Sequence, residues 1–180
     1  MSSTNPLVSA ASRSTPDNVL AMDGEPLPVL EFLQRSLART LDQRHRTHMN
    51  YPTAISTTLR FELVAVELGR ATLALMADPA LHGNQQGTVH GGIMAELADA
   101  AFGTAHSTRV LAGESFTSID LKINFLRPVW NDRLLATAYP IHAGKTVSHY
   151  HCDIARADGK LVATAQGTLM TLRGDQAVGR

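Results

Sequence analysis

The sequence is poor in several things, and each shortage narrows what the chain can be. It has a single cysteine, Cys152, in 180 residues. One thiol cannot close a disulfide within the chain, and structural zinc sites usually draw on several cysteines. So few thiols fit a reducing compartment, and a cytoplasmic location is expected. Charge of one sign is also missing: 16 basic and 16 acidic residues balance to zero. Without a basic excess there is no electrostatic footprint for nucleic acid or for an anionic bilayer, and neither is expected as a partner. Long apolar runs are absent too. The longest mainly apolar stretch, Ile93 to Ala105, is interrupted by Glu96 and Asp99 and falls short of the ~20 residues a membrane helix needs. The opening residues carry no apolar run behind a basic start, so no secretory signal is expected.

What remains is enough for a core. Hydrophobic residues make up 44% and charged residues 18%, in the range of one folded domain with room for an extension. Residues 1–26, rich in Ser, Thr, Asn and Pro, read as a mobile tail. Residues 27–54 read as a helical extension: Val29, Leu30, Leu33, Leu37 and Leu41 recur at helical spacing. The expected role of that helix is to cover one edge of a sheet. The main domain is placed at 55–172, followed by a tail at 173–180. It opens with a predicted hairpin, Ser56 to Val66 and Arg70 to Ala77, turning at Gly69. A helix is predicted from Ile93 to about Arg109, apolar or small on nearly all sides and therefore buried. Four strands follow, around Ile119–Phe125, Leu134–Ile141, Thr146–Ala155 and Leu161–Leu172, with Asp158-Gly159 as a hairpin turn. One buried helix and about six antiparallel strands make an α+β layer architecture.

The segment that carries chemistry runs from Asn84 through His90-Gly91-Gly92 to Asp99. The first amides of a helix have no internal partner. Two glycines at that point let a ligand come close, and the helix dipole adds positive character. These features suit a carbonyl oxygen that becomes an oxyanion in acyl transfer. Asp99 lies nine positions after His90, roughly 13 Å along the axis. It is too far to serve the start of its own helix, but it can serve the start of a second helix packed antiparallel beside it. A site shared between two chains is therefore expected. A carboxylate there can attack as a nucleophile or activate water as a general base, and Asn84 can hold the water or the carbonyl.

These residues resemble a known family. Asn84-Gln85-Gln86-Gly87-Thr88-Val89-His90-Gly91-Gly92 with Leu97-Ala98-Asp99 looks like the hotdog-fold acyl-CoA thioesterases, of the phenylacetate-degradation (PaaI-like) and 4-hydroxybenzoyl-CoA groups. The stretch from Ser118 to Arg127-Pro128 matches their central strand, so the resemblance covers about residues 55 to 172. It implies a hotdog fold, in which an antiparallel sheet wraps a long central helix. It further implies Asp99 as nucleophile or general base, the Gly91 amide as the donor to the thioester carbonyl with Gly92 beside it, Asn84 as the orienting amide and His90 at the helix start. Some members carry Ser or Thr one turn after the carboxylate. Here that position is Gly103, which leaves Ser118 or its neighbour Thr117 on the next strand as the candidate hydroxyl. Arg127, Lys122 and Lys145 are candidates for coenzyme A phosphates. The resemblance implies an acyl-CoA substrate, no cofactor beyond it, and at least a homodimer, more specifically a homotetramer.

Each of these residues also has a plain structural reading. Asp99 could be a satisfied buried carboxylate, His90 a helix cap and Asn84 a turn residue. Glu96 fits a chain contact or the substrate entrance. His149 and His151 share a strand face with Asp153, but no further ligand completes a metal site and none is expected. Two other functions fit the same fold. A hydratase or dehydratase would need a carboxylate and a histidine placed to move protons at adjacent carbons. A non-catalytic acyl-CoA-binding regulator would be expected to carry a DNA-binding helix pair, which residues 1–55 do not show.

Overall fold

A computed structural model describes residues 26–178. The predicted tail therefore lies outside the described residues except for Pro26, which bridges Arg46. Helix α1 spans Val29–Leu37. It ends earlier than its periodicity predicts, with Arg39 at φ 55° turning the chain away.

The first predicted strand needs correction. Residues Ala54–Leu59 form a short helix, α2, and strand β1 is confined to Glu62–Glu67. The β-branched content of this stretch suggested a strand, but local hydrogen bonding outweighs it. Thr53 caps the turn by accepting from the Ser56 amide at 3.2 Å. The hydroxyls of Thr57 and Thr58 bond back to the carbonyls of Thr53 and Ala54, as β-hydroxy residues do in helices. Arg60, at φ 58°, then ends the helix.

Five further strands and the long helix follow as predicted in type: β2 (Arg70–Ala77), α4 (Gly91–Ser107), β3 (Ser115–Phe125), β4 (Asp132–Ala143), β5 (Val147–Arg156) and β6 (Leu161–Leu172), with an unpredicted one-turn helix α3 (Pro79–His82) before α4 and a 3-10 turn at Gly174–Ala177 in the predicted tail. The six strands form one antiparallel sheet in the order β1-β2-β4-β5-β6-β3. Among the described residues no helix is long and apolar enough to cross a membrane.

The sheet curls around α4. Leu97, Ala98, Ala101, Phe102 and Ala105 are at most 1% exposed. Alanines let the strands come close, and Phe102 fills the space against β6, where a Cβ on Gly167 would lie 2.9 Å from the ring. That strand position requires glycine. Cys152 faces inward from β5 and is fully buried, and burial above all pushes its thiol up to about 12. The two sheet edges differ. Val29 and Leu33 of α1 pack on Val66 of β1 and cover that edge. On the other edge, β3 pairs only with β6 and exposes Ile119 and Phe125.

One buried core residue titrates between its unfolded and folded values in the mildly acidic range. His106, 2% exposed, bonds the Tyr150 hydroxyl at 3.2 Å and Thr171 Oγ1 at 3.0 Å. Burial, with help from the nearby Arg109 charge, pushes its pKa down to about 4 from the usual 6.5. The native state thus holds His106 neutral where the unfolded chain would protonate it. Its contribution is complete above the unfolded value and is lost as pH falls from 6.5 towards about 4, at up to about 1.4 kcal/mol per pH unit. Denaturant unfolding between pH 7 and 4.5 should show this slope in wild type and a shallower one in His106→Gln; parallel curves would refute the assignment.

Candidate active site

The helix start is assembled by the loop before it. Asn84 closes a turn: its Oδ1 accepts from the amides of Gln86 (2.9 Å) and Thr88 (3.2 Å), and its Nδ2 donates to Thr88 Oγ1 (2.9 Å). One Nδ2 hydrogen is left uncommitted. The turn is fastened on both sides, because the His90 amide donates to the His82 carbonyl and the Val89 amide to the Val129 carbonyl. His90 is the N-cap of α4, its Nδ1 accepting from the Gly92 amide at 2.8 Å. In the neutral ring the proton therefore sits on Nε2.

This cap separates the two glycines. The Gly92 amide is used internally, whereas the Gly91 amide donates to no group among the described residues. Phe125 stands over it, so close that a Cβ on Gly91 would lie 2.7 Å from its ring. A cleft of about 520 Å³ opens here, lined by Asn84, His90, Gly91 and Phe125, and by Arg127 on one wall. Arg127 is held there by its Nη1 donating to the Leu161 carbonyl at 2.5 Å.

Asp99 is elsewhere. It is half-buried and lines a second cleft of about 380 Å³ with Glu96, Gly103, Ser118 and a loop from the N-terminal extension, His48 to Tyr51. Eight residues of helix separate it from Gly91, or about 12 Å. Ser118 Oγ donates to Asp99 Oδ1 at 3.0 Å, leaving the other carboxylate oxygen for chemistry. Burial first, and the Asp99 charge second, raise the pKa of the Glu96 carboxyl one turn away.

A bulge decides which hydroxyl reaches Asp99. From Phe125, strict alternation would send Thr117 towards the helix and Ser118 away. The β3–β6 register slips between Ser118 and Asp120, and the extra residue, Ile119, flips the parity. Ser118, opposite the buried Leu169, turns inward with Leu121, Ile123 and Phe125. Thr117 pairs with Met170 on the other face and does not reach Asp99. Lys122 and Lys145 line neither cleft. His149 bonds Thr168 and His151 bonds Asp153 on the outer face of β5, away from both clefts. Sequence reasoning missed His48 and Asn50. Nothing local in those residues marks them, since they reach the site only because the extension folds back over α4.

The chain is similar to several known proteins. The chain is 30% identical over 135 residues to the medium/long-chain acyl-CoA thioesterase YigI of Salmonella typhimurium, covering 67% of this chain and 86% of that protein. It is 32% identical over 116 residues to the acyl-coenzyme A thioesterase PaaI of Escherichia coli, covering 63% of this chain and 79% of that one. Residues 86–163 match the model of the thioesterase superfamily. The chain belongs to the thioesterase superfamily.

Solved superfamily structures superpose on it. The PaaI protein of the Escherichia coli phenylacetic acid degradation operon does so with a TM-score of 0.63 at 29% identity, covering 68% of this chain and 87% of that chain. A thioesterase family protein from Silicibacter pomeroyi does so with a TM-score of 0.64 at 25% identity, covering 81% and 99%. Other relatives overlap less. The chain spans 62% of the length of a putative esterase from Haemophilus influenzae and 54% of one from Caenorhabditis elegans.

The cap makes a direct prediction. His90→Ala should destabilise this superfamily member by about 1 kcal/mol, a fall of roughly 2–4 °C in Tm. His90→Asn, which also caps well, should restore most of it. Melting both variants checks this, and an unchanged Tm for His90→Ala would show that the ring caps nothing in solution.

Proposed function

We propose that the protein hydrolyses the thioester of an acyl-coenzyme A, aryl or medium-chain, to the free acid and coenzyme A. The observation that carries this reading is the pair of half-sites: an unpartnered Gly91 amide at a capped helix start, and about 12 Å away along the same helix a carboxylate held by Ser118. Neither half is complete alone. A second chain paired antiparallel along the open edge of β3 would bring its Gly91 to this chain's Asp99, and the exposed apolar residues of β3 fit such a contact. The minimum unit is then a homodimer with two shared sites, and a homotetramer is the assembly implied by the family resemblance.

In this reading the Gly91 N–H and the helix dipole polarise the carbonyl and hold the oxyanion. Asp99 acts on the carbonyl carbon, either attacking it directly or taking a proton from the attacking water. As the C–S bond breaks, the thiolate leaves and picks up a proton. Attack by water gives the free acid at once, whereas direct attack by Asp99 leaves a mixed anhydride that a water then hydrolyses to the acid and the regenerated carboxylate. Ser118 fixes the carboxylate, Asn84 supplies its spare Nδ2 hydrogen to the carbonyl or water, and Arg127 meets the phosphates of coenzyme A. His90 positions the helix start. No cofactor is needed besides the coenzyme A of the substrate, and a cytoplasmic setting suits that substrate.

Free-thiol release from a panel of aryl and straight-chain acyl-CoA esters tests the reaction. Asp99→Ala should lower kcat by about 10²–10⁴-fold with the oligomer intact on gel filtration. Equal rates in both proteins would sink the role of Asp99. Hydration of an unsaturated acyl-CoA would release no thiol, so the same assay separates hydrolysis from hydratase chemistry. Subunit mixing tests the sharing. Asp99→Ala and Gly91→Val chains, each inactive alone, should regain about a quarter of wild-type activity when unfolded and refolded together, because half the dimers are mixed and each carries one intact site. No recovery despite mixed dimers would place both halves of the site in one chain.

A further inference from the structure

A third cavity has no part in the chemistry above. It holds about 260 Å³ between α1, the sheet and α4, and its apolar walls are Phe32, Leu33, Leu41, Phe61, Leu63 and Leu73. It is a half-open cleft, and a concave, mostly apolar lining beside a candidate site is what small-molecule pockets present. Resting on the thioesterase reading, we infer that this cavity, built by the N-terminal extension together with the first hairpin, receives the acyl chain of the substrate and sets its length, favouring medium-length chains.

Three observations support the assignment. First, the cavity adjoins the Asp99 cleft: Tyr51, Thr53, Ser56 and Thr104 belong to the walls of both. Gly103, one turn beyond Asp99, leaves the junction unobstructed. A Cβ there would meet nothing nearer than the Phe116 ring at 3.7 Å, so the Asp99 cleft stays free of side chain at this position.

Second, the polar groups of the passage are already paired within the protein. Thr104 Oγ1 donates to the Ala100 carbonyl at 2.8 Å, and Thr53 Oγ1 to Ser56 Oγ at 2.7 Å. Ser107 Oγ gives its proton to the Thr104 carbonyl (2.8 Å), so Tyr51 is the donor in the 2.6 Å contact between their hydroxyls. A passage whose polar atoms are satisfied offers water few partners and favours an apolar guest.

Third, the space is limited: about 260 Å³ is small beside the ~300–1,000 Å³ of ordinary ligand pockets, so long chains overfill it. The walls supplied by residues 32 to 73 lie outside residues 86–163, the stretch that matches the superfamily model. Chain-length choice is thus set by the extension and the first hairpin, outside the matched stretch.

The test compares kcat/KM for butyryl- to hexadecanoyl-CoA in wild type, Ser36→Phe and Phe32→Ala. Ser36 lines the cavity from the exposed face of α1, so a ring there narrows it with little cost to folding. Ser36→Phe should raise KM for decanoyl-CoA about tenfold or more, the scale of lost methylene contacts, and leave butyryl-CoA within about twofold. Phe32→Ala, checked by circular dichroism, should move the optimum to longer chains. Wild-type length profiles in both variants would overturn the inference. If wild type hydrolyses no ester, the thioesterase reading fails separately, and calorimetry with the decyl thioether of coenzyme A then decides the cavity. Tighter binding to wild type than to Ser36→Phe would uphold it, and equal or absent binding would overturn it.

Discussion

Helix α4 has 17 residues and almost no polar face. Leaving Leu97, Ala101, Phe102 and Ala105 in water would cost on the order of 25 cal/mol for each Å² of apolar surface exposed, and the sheet must curl to prevent this. The rest of the architecture follows. Inward residues of β2, β4, β5 and β6 share one core cluster with this helix, the alanines set how closely the strands approach, and Gly167 yields to Phe102. A helix buried along its length offers chemistry only at its start and along whatever stripe the sheet fails to cover. Those are the two places where the candidate groups stand.

The start and the stripe are prepared differently. At the start, backbone hydrogen bonds to His82 and to Val129 fasten the turn around Asn84, and His90 takes the Gly92 amide. Among the described residues the Gly91 amide has no partner. Fixing a single orphan donor at a dipole's positive end is a form of preorganisation, since nothing has to reorient when charge develops on a bound oxygen. Along the stripe, Asp99 and Glu96 share a cleft. The hydroxyl of Ser118 satisfies Asp99, while burial and the Asp99 charge push Glu96 towards its protonated form.

The N-terminal extension does more than cover an edge. Its α1 packs on β1, its loop roofs the Asp99 cleft, and its apolar residues wall the cavity beyond. The Tyr51–Ser107 hydrogen bond ties that loop to the end of α4. The part of the chain with the plainest sequence pattern thus shapes the space beside the part with the most distinctive one.

Much of this was legible in the residues. The all-round apolar character of 93–105 determined a buried helix, and alternation determined four of the strands. The spacing of nine between His90 and Asp99 alone implied that one chain cannot unite them. Other features depended on tertiary structure. The start of the predicted strand at Ser56 is instead helical, because of Thr53 and two back-bonding threonines. Strict alternation points to Thr117 rather than Ser118, whereas a bulge at Ile119 reverses parity without any local mark. His48 and Asn50 joined the Asp99 cleft only through long-range folding. Periodicity and spacing are local and survive in the sequence. Register, bulges and the folding-back of an extension are fixed by contacts between segments far apart in the chain, and those exist only once the sheet has closed on the helix.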